Sequence, residues 1–145
     1  MKIVIQRCFQ ARVEVEGEVV GLIARGLTVF VGVENGDDES QAEKMARKIV
    51  ALRIFDNDEG RFDRSLLDLG GQVLAISNFT LCGDTKKGAR PNFSGAAKPD
   101  AANALFTRFV TLLRAQNIVV ESGIFGADMK VWVENDGPVT LILEN

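Results

Sequence analysis

No histidine occurs among the 145 residues. That absence excludes a Ser-His-Asp or Cys-His arrangement and a histidine-ligated catalytic zinc. Any reaction this chain performs must therefore use backbone groups, hydroxyls, carboxylates, amines or the substrate itself. Cysteine is scarce as well. Cys8 and Cys82 lack Cys-x-x-Cys or metal-ligand spacing and read as buried or inert thiols in a reducing compartment. No metal and no cofactor is expected. Long apolar runs are missing: Leu27 to Val33 falls far short of the roughly 20 residues a membrane span needs, and residues 1–8 alternate instead of forming a signal-peptide core. The expectation is a cytosolic, cytoplasmic protein without membrane contact. An excess of positive charge is also absent. A net charge of −3 and a pI near 5.0 argue against broad phosphate neutralisation along a nucleic acid, and DNA is not an expected partner.

What is present suffices for one domain over residues 1–145, with 46% hydrophobic residues for a core and 26% charged residues for a soluble surface. Lys2 to Cys8 alternates as a strand, and Ala11 to Glu16 and Glu18 to Ile23 flank Gly17 as a second and third. Leu27 to Val33 is a dense β-branched run that predicts a central strand buried on both faces. From Ser40 the apolar spacing turns helical through Ala42, Met45, Ala46, Ile49 and Val50, and Ser40-Gln41-Ala42-Glu43 has the form of a capping box. Val73 to Ile76 is a further strand, Pro99 to Gln116 a second helix, and three C-terminal strands begin near Ile118. Strands outnumber helices and cluster at both ends. The predicted class is α+β, with largely antiparallel sheets packed together and two main helices on one side.

Three stretches carry possible chemistry. Asn135-Asp136-Gly137-Pro138-Val139-Thr140 sits between two alternating runs, Met129 to Glu134 and Val139 to Leu143, and predicts two strands joined by a tight turn. Pro138 makes a cis Gly137-Pro138 bond accessible, at a cost of about 0.5–1 kcal/mol; an ordinary turn followed by a strand that opens with proline explains the same residues. Lys86 to Lys98 holds Lys86, Lys87, Arg90 and Lys98 with no acidic residue, which is either a local contact for a few phosphates or a solvated loop. Ser77-Asn78-Phe79-Thr80-Leu81 leaves a buried strand just before that basic segment, and strand ends are favoured places for sites. Phe79 can stack on a nucleobase or fill the core. Thr80 can hold a water, act as a nucleophile, or be a plain strand residue, and without histidine its hydroxyl has no evident activator.

Taken together, these pieces closely resemble D-aminoacyl-tRNA deacylase, the D-tyrosyl-tRNA deacylase family. The resemblance runs through Ile5-Gln6-Arg7, Gly17-Glu18, Gly32-Val33-Glu34, Arg53-Ile54-Phe55, Ser77 to Leu81, Arg90-Pro91-Asn92-Phe93-Ser94, Ala127-Asp128-Met129 and Asn135 to Thr140. Asn78 stands where the family motif usually carries glutamine. The resemblance implies a three-layer β-β-α sandwich working as a homodimer on the aminoacylated 3′ end of tRNA. It implies hydrolysis of the D-aminoacyl ester, with Gly137 and a cis Pro138 entering the neighbouring subunit's site and rejecting L-amino acids by main-chain shape, while glycyl-tRNA slips through. Ser77, Phe79 and Thr80 would form the catalytic strand end, with Phe79 facing the terminal adenosine. Asn78 and Met129 would contact substrate, Arg7 would brace the Gly-Pro turn, and Lys86, Lys87 and Arg90 would approach phosphates. The ester is already activated, so orientation, backbone N–H donors around Ser77 to Thr80 and the ribose 2′-hydroxyl would carry the reaction.

Three other readings stand beside it. One is the related editing class with a trans Gly-Pro bond and tolerance of L-alanine. Another is the editing module fused to archaeal threonyl-tRNA synthetases, although this chain has no room for a synthetase. The last is a non-enzymatic, dimeric binding module whose Gly-Pro turn only plugs an interface and whose cleft near Thr80 is apolar and closed.

Overall fold

The N-terminal alternation runs further than the sequence suggested. In the computed structural model, which describes residues 1–144, β1 is a single strand over Lys2–Val15. It is followed by β2 (Glu18–Ile23), β3 (Gly26–Gly32), α1 (Glu39–Ala51), β4 (Phe55–Asp56), β5 (Phe62–Arg64) and the one-turn helix α2 (Leu66–Leu69). Then come β6 (Gln72–Ser77), a 3-10 turn (Phe79–Cys82), α3 (Pro99–Arg114), β7 (Val120–Ser122) and β8 (Lys130–Glu144). The expected break between two N-terminal strands is only an irregularity. Phe9 and Gln10 are both exposed, and the register with β8 shifts between Cys8 and Gln10, which interrupts the alternation without ending the strand.

β1 organises the sheet. One edge pairs antiparallel with β8 from Lys2 opposite Glu144 to Glu14 opposite Lys130. The other edge is shared, β3 taking Lys2 to Cys8 and β2 taking Ala11 to Val15. β6 adds parallel to β3, and β7 parallel to β6. The sheet is therefore mixed on the β3-β6-β7 side, where the chain crosses over through α1 and α3 as parallel pairs require. Because β2 packs across β6 and β7, this one sheet folds back on itself and supplies two layers. Cys8, Ala11, Val13, Ile23, Leu74 and Ile76 fill the space between them. A larger core lies between the sheet and the two main helices, with Ile3, Ile5, Val29, Val31 and Ala75 meeting Met45, Ile49, Phe106 and Phe109. The three-layer α+β arrangement is thus the one expected.

β3 is buried along nearly its whole length, in keeping with its β-branched run. Helix α1 begins two residues earlier than the spacing indicated. Asp38, not Ser40, is the N-cap: its carboxylate accepts from the Gln41 N–H, and the Gln41 carboxamide accepts from the Asp38 N–H. A carboxylate in that place also complements the positive end of the helix. α3 opens with Pro99 at its first turn and ends at Arg114, within the usual uncertainty of the expected Gln116. Among the described residues, no helix is long and apolar enough to cross a membrane.

The largest departure is at the C-terminus, where two strands, β7 and β8, replace the expected three. Asn135 to Thr140 is not a hairpin turn. Asn135 pairs with Cys8 and Thr140 with Gln6, so both halves of β8 continue along the same partner strand in the same direction. Asp136 to Val139 bulge outward opposite the single residue Arg7. Alternation is preserved on both sides of the bulge, with Val131 and Val133 half-buried before it and Leu141 and Leu143 inward after it, which is why periodicity alone reads as two strands.

Candidate functional site

Strand β6 carries the chain through the core and releases it at Ser77, beside the end of β3, where Val31 pairs with Ser77. The Asn78 N–H donates to the Val31 carbonyl at 2.8 Å, extending the ladder by one bond. That bond removes Asn78 from the backbone donors expected over Ser77 to Thr80. Phe79 to Cys82 then wind into the 3-10 turn, whose leading N–H groups, on Phe79 and Thr80, precede any acceptor within the turn. The Asn78 side chain makes no cap. Its carboxamide oxygen instead accepts the Thr80 hydroxyl proton.

Gly32 makes this turn possible. A Cβ there would lie 2.9 Å from Cys82 Sγ, 3.0 Å from Leu81 Cβ and 3.2 Å from the Asn78 carbonyl oxygen. The Gly32 backbone therefore packs directly on the Cys82 and Leu81 side chains and the Asn78 carbonyl, with no room for a side chain of its own. On its other flank, Cys82 Sγ donates to the Val33 carbonyl at 3.5 Å. Burial pushes the Cys82 thiol up, helped by the negative charge of Glu34, and burial likewise pushes Cys8 up against the hydrogen bond from Thr28. Both cysteines are buried, and that burial disfavours their thiolate forms.

The turn forms one wall of an open cleft of about 970 Å³, lined among others by Ser77, Asn78, Phe79, Thr80, Phe93 and Met129. Phe79 is 57% exposed, so it is not a core residue. Its ring meets Phe93 edge-on, at 5.1 Å between centroids and 66° between planes, leaving an aromatic corner at the cleft mouth. Lys98 of the basic segment also lines the cleft, as do Phe93 and Asp128, which were not singled out individually from the sequence. The Phe93 signal was present in the Arg90 to Ser94 motif. Asp128 is the acidic residue of this lining.

The basic segment borders the same region. Asp84 and Asn92 exchange backbone hydrogen bonds of 2.8 and 2.9 Å, and the loop between them presents Lys86, Lys87 and Arg90 to solvent. Among the described residues none of these three forms an ion pair at 4.0 Å or less, so their charge is available to an anionic partner. Ala96 bridges to Glu34, and the Ala97 N–H donates to the Val33 carbonyl at 2.9 Å, which ties the far end of the segment to the cleft floor.

Three expected residues stand apart. Gly137, Pro138 and Arg7 do not line this cleft. Gly137 and Pro138 are exposed on the bulge, and the peptide between them is cis. Gly137 has φ of +124°, a conformation that suits glycine alone. Arg7, opposite the bulge, is 3% exposed. Its Nε donates to the Asp136 carbonyl oxygen at 3.2 Å and pairs with the Asp136 carboxylate at 3.1 Å. Its Nη1 donates to the Ile54 carbonyl at 2.7 Å and meets Asp56 at 3.2 Å. The open end of the bulge is closed by Asn135, whose side-chain oxygen accepts the Val139 N–H at 3.1 Å. An exposed main-chain projection and an open cleft thus occupy separate places on one chain.

The sequence model of the D-Tyr-tRNA(Tyr) deacylase family matches residues 4–144. The chain belongs to that family. A D-aminoacyl-tRNA deacylase of Sorangium cellulosum is 53% identical to it over 100% of this chain and 97% of the relative. Two solved structures share the fold. A c-Myc DNA Unwinding Element Binding Protein superposes with a TM-score of 0.94 at 37% identity, covering 100% of this chain and 99% of that one. A probable eukaryotic D-amino acid tRNA deacylase gives 0.83 at 18% identity, covering 98% and 97%. As a member of a deacylase family the chain is a hydrolase, which removes the binding-module reading; the cleft is open beside Thr80 and not closed. Gly32→Ala in this deacylase is expected to push the 3-10 turn outward and lower the hydrolytic rate about tenfold to hundredfold, measured as kcat beside a thermal melt that checks folding.

Proposed function

We propose that this deacylase hydrolyses the ester between a D-amino acid and the tRNA 3′ end, releasing both, and that it works as a homodimer in the cytoplasm. The separation of the cleft from the Gly137-Pro138 bulge carries this reading. A projection that cannot serve its own chain's cleft is suited to a second copy's, where its carbonyls would face the substituents of the substrate α-carbon. An L-side chain would meet that main chain from Cβ onward, whereas a D-side chain would point away. Glycyl-tRNA, lacking Cβ, would be accepted.

In the cleft, the terminal adenosine would stack at the Phe79–Phe93 corner, a contact worth about 1–3 kcal/mol per base, and Met129 would line the amino-acid side. The Phe79 and Thr80 N–H groups are the donors suited to the developing oxyanion. Ser77 sets the position of the turn. Thr80, with its proton held by the Asn78 carboxamide, which is not a base, positions water or substrate and is not a nucleophile. Asn78 thereby supports Thr80 in addition to bordering the substrate. Lys86, Lys87 and Arg90 would meet backbone phosphates near the acceptor end, a local contact that suits an acidic protein. No metal or other cofactor is needed for an ester already activated by its ribose.

The test is a pair of deacylation assays at one enzyme concentration. D-Tyrosyl-tRNA is expected to be hydrolysed while L-tyrosyl-tRNA persists; equal rates would remove the chiral filter. Sedimentation should give about twice the 15.8 kDa chain mass.

A further inference from the structure

The two-stranded sheet β4–β5 is separate from the main sheet and contributes nothing to the cleft lining. Its strands are very short, and its turn is closed by backbone hydrogen bonds from the Asn57 N–H to Arg61 O at 2.8 Å and the Gly60 N–H to Asn57 O at 3.0 Å. What this hairpin does touch is Arg7. The Ile54 carbonyl, immediately before β4, and the Asp56 carboxylate, within it, both engage Nη1, and the Phe62 ring of β5 lies 5.5 Å from the guanidinium carbon. Arg7 in turn reaches the Asp136 carbonyl and carboxylate on its other side.

We infer that β4–β5 is the backing of the Gly137-Pro138 projection, and that Asp56 is a positioning residue for chiral discrimination, acting through Arg7. The inference rests on the filter reading above. Opposite a four-residue bulge, the ladder offers only one residue, so the projection is not held by strand pairing. Its inner anchor is the buried Arg7–Asp136 contact. A guanidinium is long and has several rotamers; it anchors only if its remaining donors are fixed. Ile54 O and Asp56 fix them from the side away from the bulge. The charges facing Arg7 are Asp136 and Asp56, and Arg25 approaches Asp136 at 4.0 Å while lying 5.9 Å from the Phe55 ring. Removing the Asp56 charge leaves the Ile54 carbonyl as the only partner of Nη1 on this side among the described residues, so Arg7 is held less firmly and the bulge shifts with it. A shift of the projection matters far more for an L-substrate, which must be excluded by contact, than for a D-substrate, which does not touch it.

The experiment compares D-tyrosyl-tRNA and L-tyrosyl-tRNA hydrolysis for the intact protein and for Asp56→Asn and Asp56→Ser. The D/L rate ratio is expected to fall about tenfold or more on loss of this charge-assisted bond, chiefly because the L-rate rises, with the D-rate within about twofold. Asp56→Glu should recover part of the ratio. Asp58→Asn, on the same hairpin but paired outward with exposed Arg64 at 2.8 Å, should leave it unchanged. D- and L-rates that fall together, or a ratio that Asp56→Asn and Asp56→Ser both leave intact, overturn the inference. Pro138→Ala separates it from the filter reading. If Pro138→Ala destroys discrimination and the Asp56 variants do not, the backing role fails alone; if Pro138→Ala preserves discrimination, the filter itself fails and the backing role with it.

Discussion

A D-aminoacyl-tRNA whose terminal ribose lacks its 2′-hydroxyl is expected to be hydrolysed about 10²–10⁴-fold more slowly than the natural substrate, whereas Thr80→Ala keeps roughly a tenth of the rate or more. The asymmetry follows from what the cleft contains. The chain has no histidine, its two thiols are buried with their ionisation suppressed, and the Thr80 proton goes to a carboxamide oxygen. None of these can draw a proton from water. The backbone donors on Phe79 and Thr80 survive Thr80→Ala, because they belong to the main chain. The hydroxyl next to the scissile ester is then the group best placed to orient and polarise the attacking water. Single-turnover rates with 2′-deoxy and natural tRNA ends test this. Asp128→Asn belongs in the same series, as the acidic residue of the cleft lining: if it reproduces the 2′-deoxy loss, the carboxylate is the base and the substrate-assisted account is wrong. Abolition of activity by Thr80→Ala in a folded protein would reinstate a threonine nucleophile.

Arg7→Ala is expected to lower the free energy of unfolding by about 3–5 kcal/mol, a large part of the roughly 5–15 kcal/mol that holds a domain of this kind folded. Among the described residues, the substitution leaves the buried Asp136 carboxylate with only the half-exposed Arg25 at 4.0 Å, strips a donor from the Ile54 carbonyl and opens a gap beneath the bulge. Arg7→Lys should recover little, since one ammonium cannot reach Asp136, Ile54 and Asp56 in three directions. Urea denaturation followed by circular dichroism measures the effect. A change below about 1 kcal/mol for Arg7→Ala, the range of an exposed ion pair, would mean that the cluster is solvated and does not anchor the bulge.

The sequence revealed elements better than partners. β3 was legible because seven consecutive residues are apolar, β-branched or small, and α1 and α3 because their apolar spacing is helical. The start of α1 was misplaced because Asp38 to Gln41 and Ser40 to Glu43 both have the form of a capping box, and only the folded backbone selects the first. β4, β5 and α2 were missed: at two to four residues each, they show no period. The bulge was read as a hairpin because alternation has the same phase on either side of it, and only the pairing partner distinguishes the two. Within the site, the strand end at Ser77 to Thr80 was visible as a buried run meeting a polar, basic loop. Arg7 was linked to the Gly-Pro turn only through the family resemblance, and its contacts with Ile54 and Asp56 were not legible at all, because those residues lie far from it in sequence and are joined to it only by folding.

The pairing of β1 with β8 has a consequence for how the chain is made. Lys2 meets Glu144 and Glu14 meets Lys130, so during synthesis β1 waits for β8. At about 5–20 residues per second that wait is on the order of ten seconds. During it β3 and β2 can cover one edge of β1, but the other, with its apolar neighbours, remains open to chaperones or to a second nascent chain. Closing so long a loop is also slow in a complete chain, because its entropy must be surrendered before the contacts form. A newly synthesised chain should therefore gain hydrolytic competence only once β8 has emerged, carrying the projection that β1 has been waiting to seat.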